Sequence, residues 1–171
     1  MKHTLFIAAA LLASTGASYA AGARICFEAE KPASMTKPFH PVKVTDTKDK
    51  VSGTGYLEIP WDRNKTKGEG QANYTVKVTT PGVYTVWARA YWANGCGNSI
   101  GVSVNGGPMA VLGEDGTYDS WHWVGGRFKV ALKAGNNTLV FKNHETGPRV
   151  DQFFLCQDAS YEPTGIRKIT Q

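Results

Sequence analysis

The chain has 171 residues, 42% of them hydrophobic, with 19 basic against 14 acidic side chains and a net charge of +5. That length suits one domain with an ordinary buried core. The basic excess is mild and interleaved: Lys43, Lys48, Lys50, Arg63, Lys65 and Lys67 alternate with Asp46, Asp49 and Asp62, which makes a solvated face rather than a stripe that could track nucleic acid.

In chain order, Met1-Lys2-His3 leads into an apolar run from Thr4 to Ala13 and small residues ending Ser18-Tyr19-Ala20. This is the pattern of a secretory signal over residues 1–20, cut between Ala20 and Ala21, and it is too short to remain as a membrane anchor. The expected product is a soluble protein, secreted or periplasmic, with no membrane or nucleic-acid partner. It loses Lys2 with the leader, leaving 18 basic and 14 acidic residues, a net +4.

No stretch after the leader reads as a long amphipathic helix. Short β-branched and aromatic runs recur instead, at 24–30, 42–46, 55–59, 72–79, 83–92, 99–104, 109–112, 121–124, 128–132, 137–142 and 150–156. Turn signals such as Thr80-Pro81-Gly82, Asn105-Gly106-Gly107 and Ala134-Gly135-Asn136 separate several of them. So many short strands in one domain, 21–158, predict an all-β fold: a two-sheet β-sandwich of the jelly-roll kind. In the 83–92 run, alternation puts Tyr84, Val86, Ala88 and Ala90 on a core face, and Thr85, Trp87, Arg89 and Tyr91 on a face toward solvent or a concavity. Residues 159–171, with Pro163, Gly165 and little apolar content, read as a loose tail.

Three cysteines remain after the leader: Cys26, Cys96 and Cys156. If the first and last strands pair antiparallel, Cys26 and Cys156 are natural disulfide partners in an exported protein, which leaves Cys96 in a loop. A monomer is expected, with a Cys96-linked dimer as the other outcome.

The segment Tyr118-Asp119-Ser120-Trp121-His122-Trp123 places two indoles where a soluble domain is usually polar. Indole faces stack on the C–H face of a pyranose ring while nearby polar groups take the hydroxyls; packing in a strand is the alternative. The same antiparallel pairing of the two ends brings Glu30 near Asp151. Carboxylates gathered at a sheet edge make a hard-oxygen site of the kind calcium takes, against which stand ordinary solvated carboxylates.

Six pieces recur in a familiar order: Glu28-Ala29-Glu30, Ser52 to Glu58, Pro81 to Arg89, Asn98-Ser99 leading to Val104-Asn105-Gly106, Trp121-His122-Trp123, and Val150-Asp151. Together, from Cys26 to Cys156, they resemble the family 6 and family 35 carbohydrate-binding modules. The resemblance implies a galactose-binding-domain-like β-sandwich, a structural calcium, and a polysaccharide or oligosaccharide as partner. It places the ion on Glu28, Glu30 and Asp151, with backbone oxygens near Lys50 and Gly53. It also places a sugar site on loop-end aromatics, here Tyr56 and Trp121, together with the segment from Asn143 and His144 to Arg149; Trp92 is a further candidate.

Where many such modules carry Asn two residues before the closing Asp, this chain has Arg149. An Arg there favours a uronic or sulfated sugar, unless it is spent on an ion pair with Glu145 or Asp151. The resemblance implies a non-catalytic domain. His122, the His144-Glu145 pair, and the cluster of Glu114, Asp115 and Asp119 are the material for an enzyme, a lyase or glycosidase, but no metal-protease or nucleophile-elbow motif accompanies them. A surface adhesin joined through Cys96 is the remaining class.

Overall fold

A computed structural model describes residues 22–45, 50–62 and 69–171; the leader assigned to residues 1–20 and the end of the 42–46 run lie outside the described residues. The described residues form eleven strands, β1 (Arg24–Glu28), β2 (Ser34–Met35), β3 (His40–Lys43), β4 (Gly55–Glu58), β5 (Gln71–Val78), β6 (Gly82–Tyr91), β7 (Ser99–Val104), β8 (Ala110–Gly113), β9 (Trp121–Leu132), β10 (Gly135–Lys142) and β11 (Arg149–Cys156). They make two antiparallel sheets. One has the order β3-β4-β11-β6-β9, with β1 alongside β11; the other runs β2-β5-β10-β7-β8.

Period-two alternation drives the packing. Tyr84, Val86, Ala88 and Ala90 of β6 are all fully buried, facing Ile100, Val102, Leu139 and Phe141 of the second sheet, with Leu57, Ile59, Phe153 and Leu155 beside them. Trp92 continues the inward series of β6 and is also fully buried. The two runs expected at 121–124 and 128–132 are one strand, β9, which bends at Gly125-Gly126 where its pairing with β6 slips between Thr85 and Trp87. Gly126 sits at φ +79°, and a Cβ there would meet the Trp87 ring at 2.5 Å, so the indole lies directly on the bare backbone.

Strand β11 changes neighbours along its length. Arg149 and Val150 pair with β4, and Gln152 to Cys156 pair with β1. Asp151 falls at the change, and on the β6 side it is the extra residue of a bulge. A bulge re-aims its side chain, and here the carboxylate points toward Arg89 and Ser52.

The first and last strands do pair, but Cys26 lies opposite Phe154 and Arg24 lies opposite Cys156. Cys26 and Cys156 are therefore diagonal neighbours, a relation that separates Cα atoms by about 7–8 Å, whereas a disulfide spans about 4.4–6.8 Å. Both are buried free thiols, contrary to the expected bridge. Burial pushes the Cys26 thiol up to about 12, with the charges of Glu28 and Asp151 adding to it.

The tail is not loose. It crosses the outer face of the first sheet as a strap: the Gly165 carbonyl accepts from Trp123 Nε1 at 2.8 Å, Arg167 exchanges two hydrogen bonds with the Gln152 side chain, and Thr170 bonds the Cys26 backbone. Gln171 then ties to the Lys77 backbone on the other sheet. Under the strap Cys26, Phe154 and Cys156 form a second small core with Trp87, Trp123, Tyr161 and Ile169.

Candidate functional site

The register of the first sheet lines up five side chains in one row. His40, Glu58, Arg149, Tyr91 and Trp121 stand opposite one another across β3, β4, β11, β6 and β9, and directly opposed residues of neighbouring strands share a face. Glu58 sits between Arg149 and His40, with its Oε1 accepting from Arg149 Nε at 2.8 Å and its Oε2 3.4 Å from His40 Nε2. The Arg149 guanidinium lies over the Tyr56 and Tyr91 rings, 5.4 Å from each centroid, and its side chain keeps 38% exposure. Such stacking holds a planar cation flat against the aromatic faces.

Trp121 closes the row. Its ring is 5.6 Å from Tyr91 and 5.5 Å from Tyr56, although β11 and β6 lie between the strands of Tyr56 and Trp121, so these two rings arch toward each other over the intervening strands. Beneath the arch the Arg89 guanidinium is 5.4 Å from the Trp121 ring. Tyr91 donates to Asp119 at 3.2 Å. The result is an aromatic cluster, or platform, with a cation at its centre, in which Tyr91 and Trp121 are half-buried and Tyr56 is buried behind them.

A second feature lies directly behind it. Glu28 is 4% exposed; its Oε1 accepts from the Ser52 hydroxyl at 2.8 Å, while its Oε2 and both carboxylate oxygens of Glu30 are buried and accept no hydrogen bond. Gly53 closes the space from the other side at φ +58°, where an added Cβ would stand 2.8 Å from a carboxylate oxygen of each glutamate. Burial pushes the Glu30 carboxyl up to about 7, with the charges of Glu28 and Asp151 adding to it; the amides of Glu30 and Thr54 oppose the rise without reaching hydrogen-bond geometry. Asp151 is fully buried and pushed up to about 6 by desolvation, against the pull of Arg89, whose Nη1 is 2.6 Å from Oδ2. Its Oδ1 accepts from the Ser52 amide at 2.8 Å.

Of the expected ion ligands, Glu28, Glu30 and Gly53 thus meet at one cradle, and Asp151 stands one step back, held by Arg89 and Ser52. Among the described residues no three acidic, His or Cys side chains group closely enough to hold an ion between them; the cradle offers two carboxylates and the backbone around Gly53.

Of the expected ligand residues, Tyr56, Trp121 and Arg149 come together on the platform. Trp92 does not: fully buried, it packs edge-on against His122, because the alternation that buries Ala88 and Ala90 runs on through it. Asn143 is buried, and His144 is turned to the Ser99 hydroxyl at 2.8 Å, away from the row. The partner of Arg149 is Glu58, whereas Glu145 accepts from the Asn98 amide and the Ser99 hydroxyl. Ser99 is fully buried, so its contacts with His144 and Glu145 brace the loop and offer no accessible nucleophile. His122 Nε2 lies 2.8 Å from Asp115, and Trp123 is covered by the strap.

Residues missed from the sequence are Glu58, His40 and Tyr91. Their signal is the alternation itself, which sets Glu58 on the same face as Tyr56 and Tyr91 on the same face as Arg89. Trp61, 53% exposed and lying over Gly147, carried only the signal of an indole in a polar loop.

Solved structures with the same architecture include the GH26-CBM35 β-(1,4)-mannanase of Podospora anserina, 21% identical with a TM-score of 0.63 over 84% of this chain and 29% of that one. They also include a family 35 carbohydrate-binding module from Clostridium thermocellum, 19% identical with a TM-score of 0.58 over 78% of this chain and 97% of the module. The C-terminal family 6 module of a marine laminarinase from Zobellia galactanivorans is 16% identical, with a TM-score of 0.56 over 79% of this chain and all of the module. The chain has the family 6 and family 35 module fold. It spans less than a third of the mannanase but nearly the whole of each isolated module. No family profile matches the sequence, and no curated protein sequence matches it either.

Proposed function

We propose that this module-like sandwich is an exported, non-catalytic domain that binds a polysaccharide on the Tyr56–Arg149–Tyr91–Trp121 platform. The observation that carries the reading is the platform itself: three aromatic rings from three strands gathered around a partly exposed guanidinium, on a fold shared with carbohydrate-binding modules. Aromatic faces take the C–H face of a sugar, and the polar groups between them take its hydroxyls. Because Arg149 commits Nε to Glu58, the two terminal nitrogens are the fork offered to a carboxylate, which favours an acidic sugar. Affinity is modest, since a few stacking contacts leave little surplus over ordering costs.

The cradle fits calcium. Three buried carboxylate oxygens without a hydrogen-bond donor need a cation or protons, and the backbone of Gly53 closes on them with no side chain between. Glu28 and Glu30 would hold the ion, with oxygens of the 50–54 segment completing an all-oxygen shell. Bound there, calcium neutralises the buried pair and ties the turn after β1 to the segment before β4. Export rests on the leader pattern; no helix of the described residues is long and apolar enough to cross a membrane.

A glycan array of neutral, uronic and sulfated oligosaccharides, probed with and without calcium, tests the reading. Binding concentrated on uronic or sulfated members, and losing that preference in Arg149→Gln, is the expected result; silence across the array defeats it. An exposed Cys96 supports one second reading, an adhesive dimer, which non-reducing electrophoresis would show as a band that collapses on reduction.

A further inference from the structure

The cradle and the platform share two physical connections, and both end on the same ring. The first runs through hydrogen bonds and one cation–ring contact. Glu28 accepts from the Ser52 hydroxyl, the Ser52 amide donates to Asp151 Oδ1, Asp151 Oδ2 takes Arg89 Nη1 at 2.6 Å, and the Arg89 guanidinium lies 5.4 Å from the Trp121 ring. Every group between the ends is buried: Glu28, Ser52, Asp151 and Arg89 are each less than 8% exposed. The second runs through the backbone. Gly53, which closes the cradle, is three residues before Tyr56, whose ring is 5.5 Å from Trp121.

Arg89 has only two anchors in this chain of contacts, a carboxylate behind and an indole in front. Its planar fork can satisfy both at once because one edge grips Asp151 while the π-faced cation lies toward Trp121. Without an ion, the clustered carboxylates of Glu28, Glu30 and Asp151 repel one another across a desolvated space, and outward movement of the glutamates is the relief. That movement loosens Ser52, which holds Asp151. A filled cradle removes the repulsion and fixes Ser52, and with it the carboxylate that positions Arg89.

We propose that Arg89 is a positioning residue that couples the cradle to the platform, so that an ion held by Glu28 and Glu30 sets the pose of the Trp121 ring. The inference rests on reading the cradle as a calcium site. By linkage, whatever the ion contributes to the platform, an occupied platform returns to the ion, and coupling of this kind typically changes affinity by about 5- to 150-fold.

The test uses calcium alone, with no glycan. Calcium is titrated into the metal-stripped protein while heat and near-ultraviolet circular dichroism are followed in parallel, for wild type, Trp121→Phe and Arg89→Lys. The lysine keeps a cation against Asp151 and so preserves the fold, but a compact ammonium cannot grip the carboxylate and also lie over the ring. The expected result is a calcium-induced change in the tryptophan band of the wild type, absent in Trp121→Phe and reduced in Arg89→Lys, with calcium heat retained in both. Heat without a Trp121-dependent signal overturns the coupling and leaves the calcium site standing, as does a full signal in Arg89→Lys. Absence of calcium heat in the wild type removes the site and the coupling together.

Discussion

Glu30 shows how burial at one residue governs the behaviour of the site. Desolvation lifts its carboxyl to about 7 in the folded chain, above the ordinary glutamate value of 4.5, and Asp151 is lifted in the same direction to about 6. The folded state therefore holds these protons more tightly than the unfolded state does. Their stabilising effect is complete below the unfolded values and is lost as pH rises through the folded ones. Metal-free protein should accordingly become less stable between about pH 4 and pH 7, a trend that Glu30→Gln flattens and calcium reverses at neutral pH. Urea denaturation at pH 4.5 and pH 7.5, in chelator and in calcium, measures it; equal stability of the metal-free protein at both pH values would refute the buried-carboxylate picture. The glutamates were legible in the sequence as a Glu-x-Glu pair at a strand end. The orientation of Asp151 was not, because a bulge arises where β11 exchanges β4 for β1, and that exchange belongs to the sheet rather than to any local residue pattern.

Strands show the same division between local and tertiary causes. Alternation in β6 correctly separated Tyr84, Val86, Ala88 and Ala90 from Arg89 and Tyr91, and it also implies the inward position of Trp92, which only the idea of a loop-end platform had turned outward. The pairing of β1 with β11 was legible, but its register was two residues away from the one that would align Cys26 with Cys156. A slip of two leaves every side chain on its proper face, so hydrophobic pattern alone does not detect it. The joining of two runs into β9 was hidden by Gly125-Gly126, which reads as a break and acts as a bend. Gly126→Ala should destabilise the fold by about 1–3 kcal/mol, because its Cβ would strike the Trp87 ring in a backbone conformation that L-residues avoid. Gly116→Ala, with open space around it at a similar φ, is the control for the backbone strain alone, and equal losses in the two variants would contradict the steric account.

At the scale of the molecule, the strap decides how much of the sheet face is available. Trp123, two residues along from Trp121, shares its face, yet it is roofed by Gly165 and packed on Phe154, so the platform stops at Trp121. The strap docks through hydrogen bonds divided between its backbone at Gly165, Arg167 and Thr170 and the side chains of Thr170 and Gln171, with Tyr161 and Ile169 as its apolar contribution. Scattered polar contacts of this kind leave no periodic signature, which is why the segment reads as loose. Truncation after Glu162 should expose the small core beneath. With the strap in place only Cys96 should react with a thiol reagent at neutral pH, whereas Cys26 and Cys156 should become reactive in the truncated chain. Mass spectrometry after brief alkylation counts the modified thiols, and a single reactive cysteine in both proteins would show that the strap protects nothing.

The central claim is that Trp121 is the ring on which a glycan rests. Its most direct test is isothermal titration of the oligosaccharide that binds best on the array into wild type and Trp121→Ala, with thermal melting to confirm that both are folded. The platform predicts a loss of at least about tenfold in affinity, or 1.4 kcal/mol, with little change in melting temperature; wild-type affinity in the folded Trp121→Ala protein would contradict it.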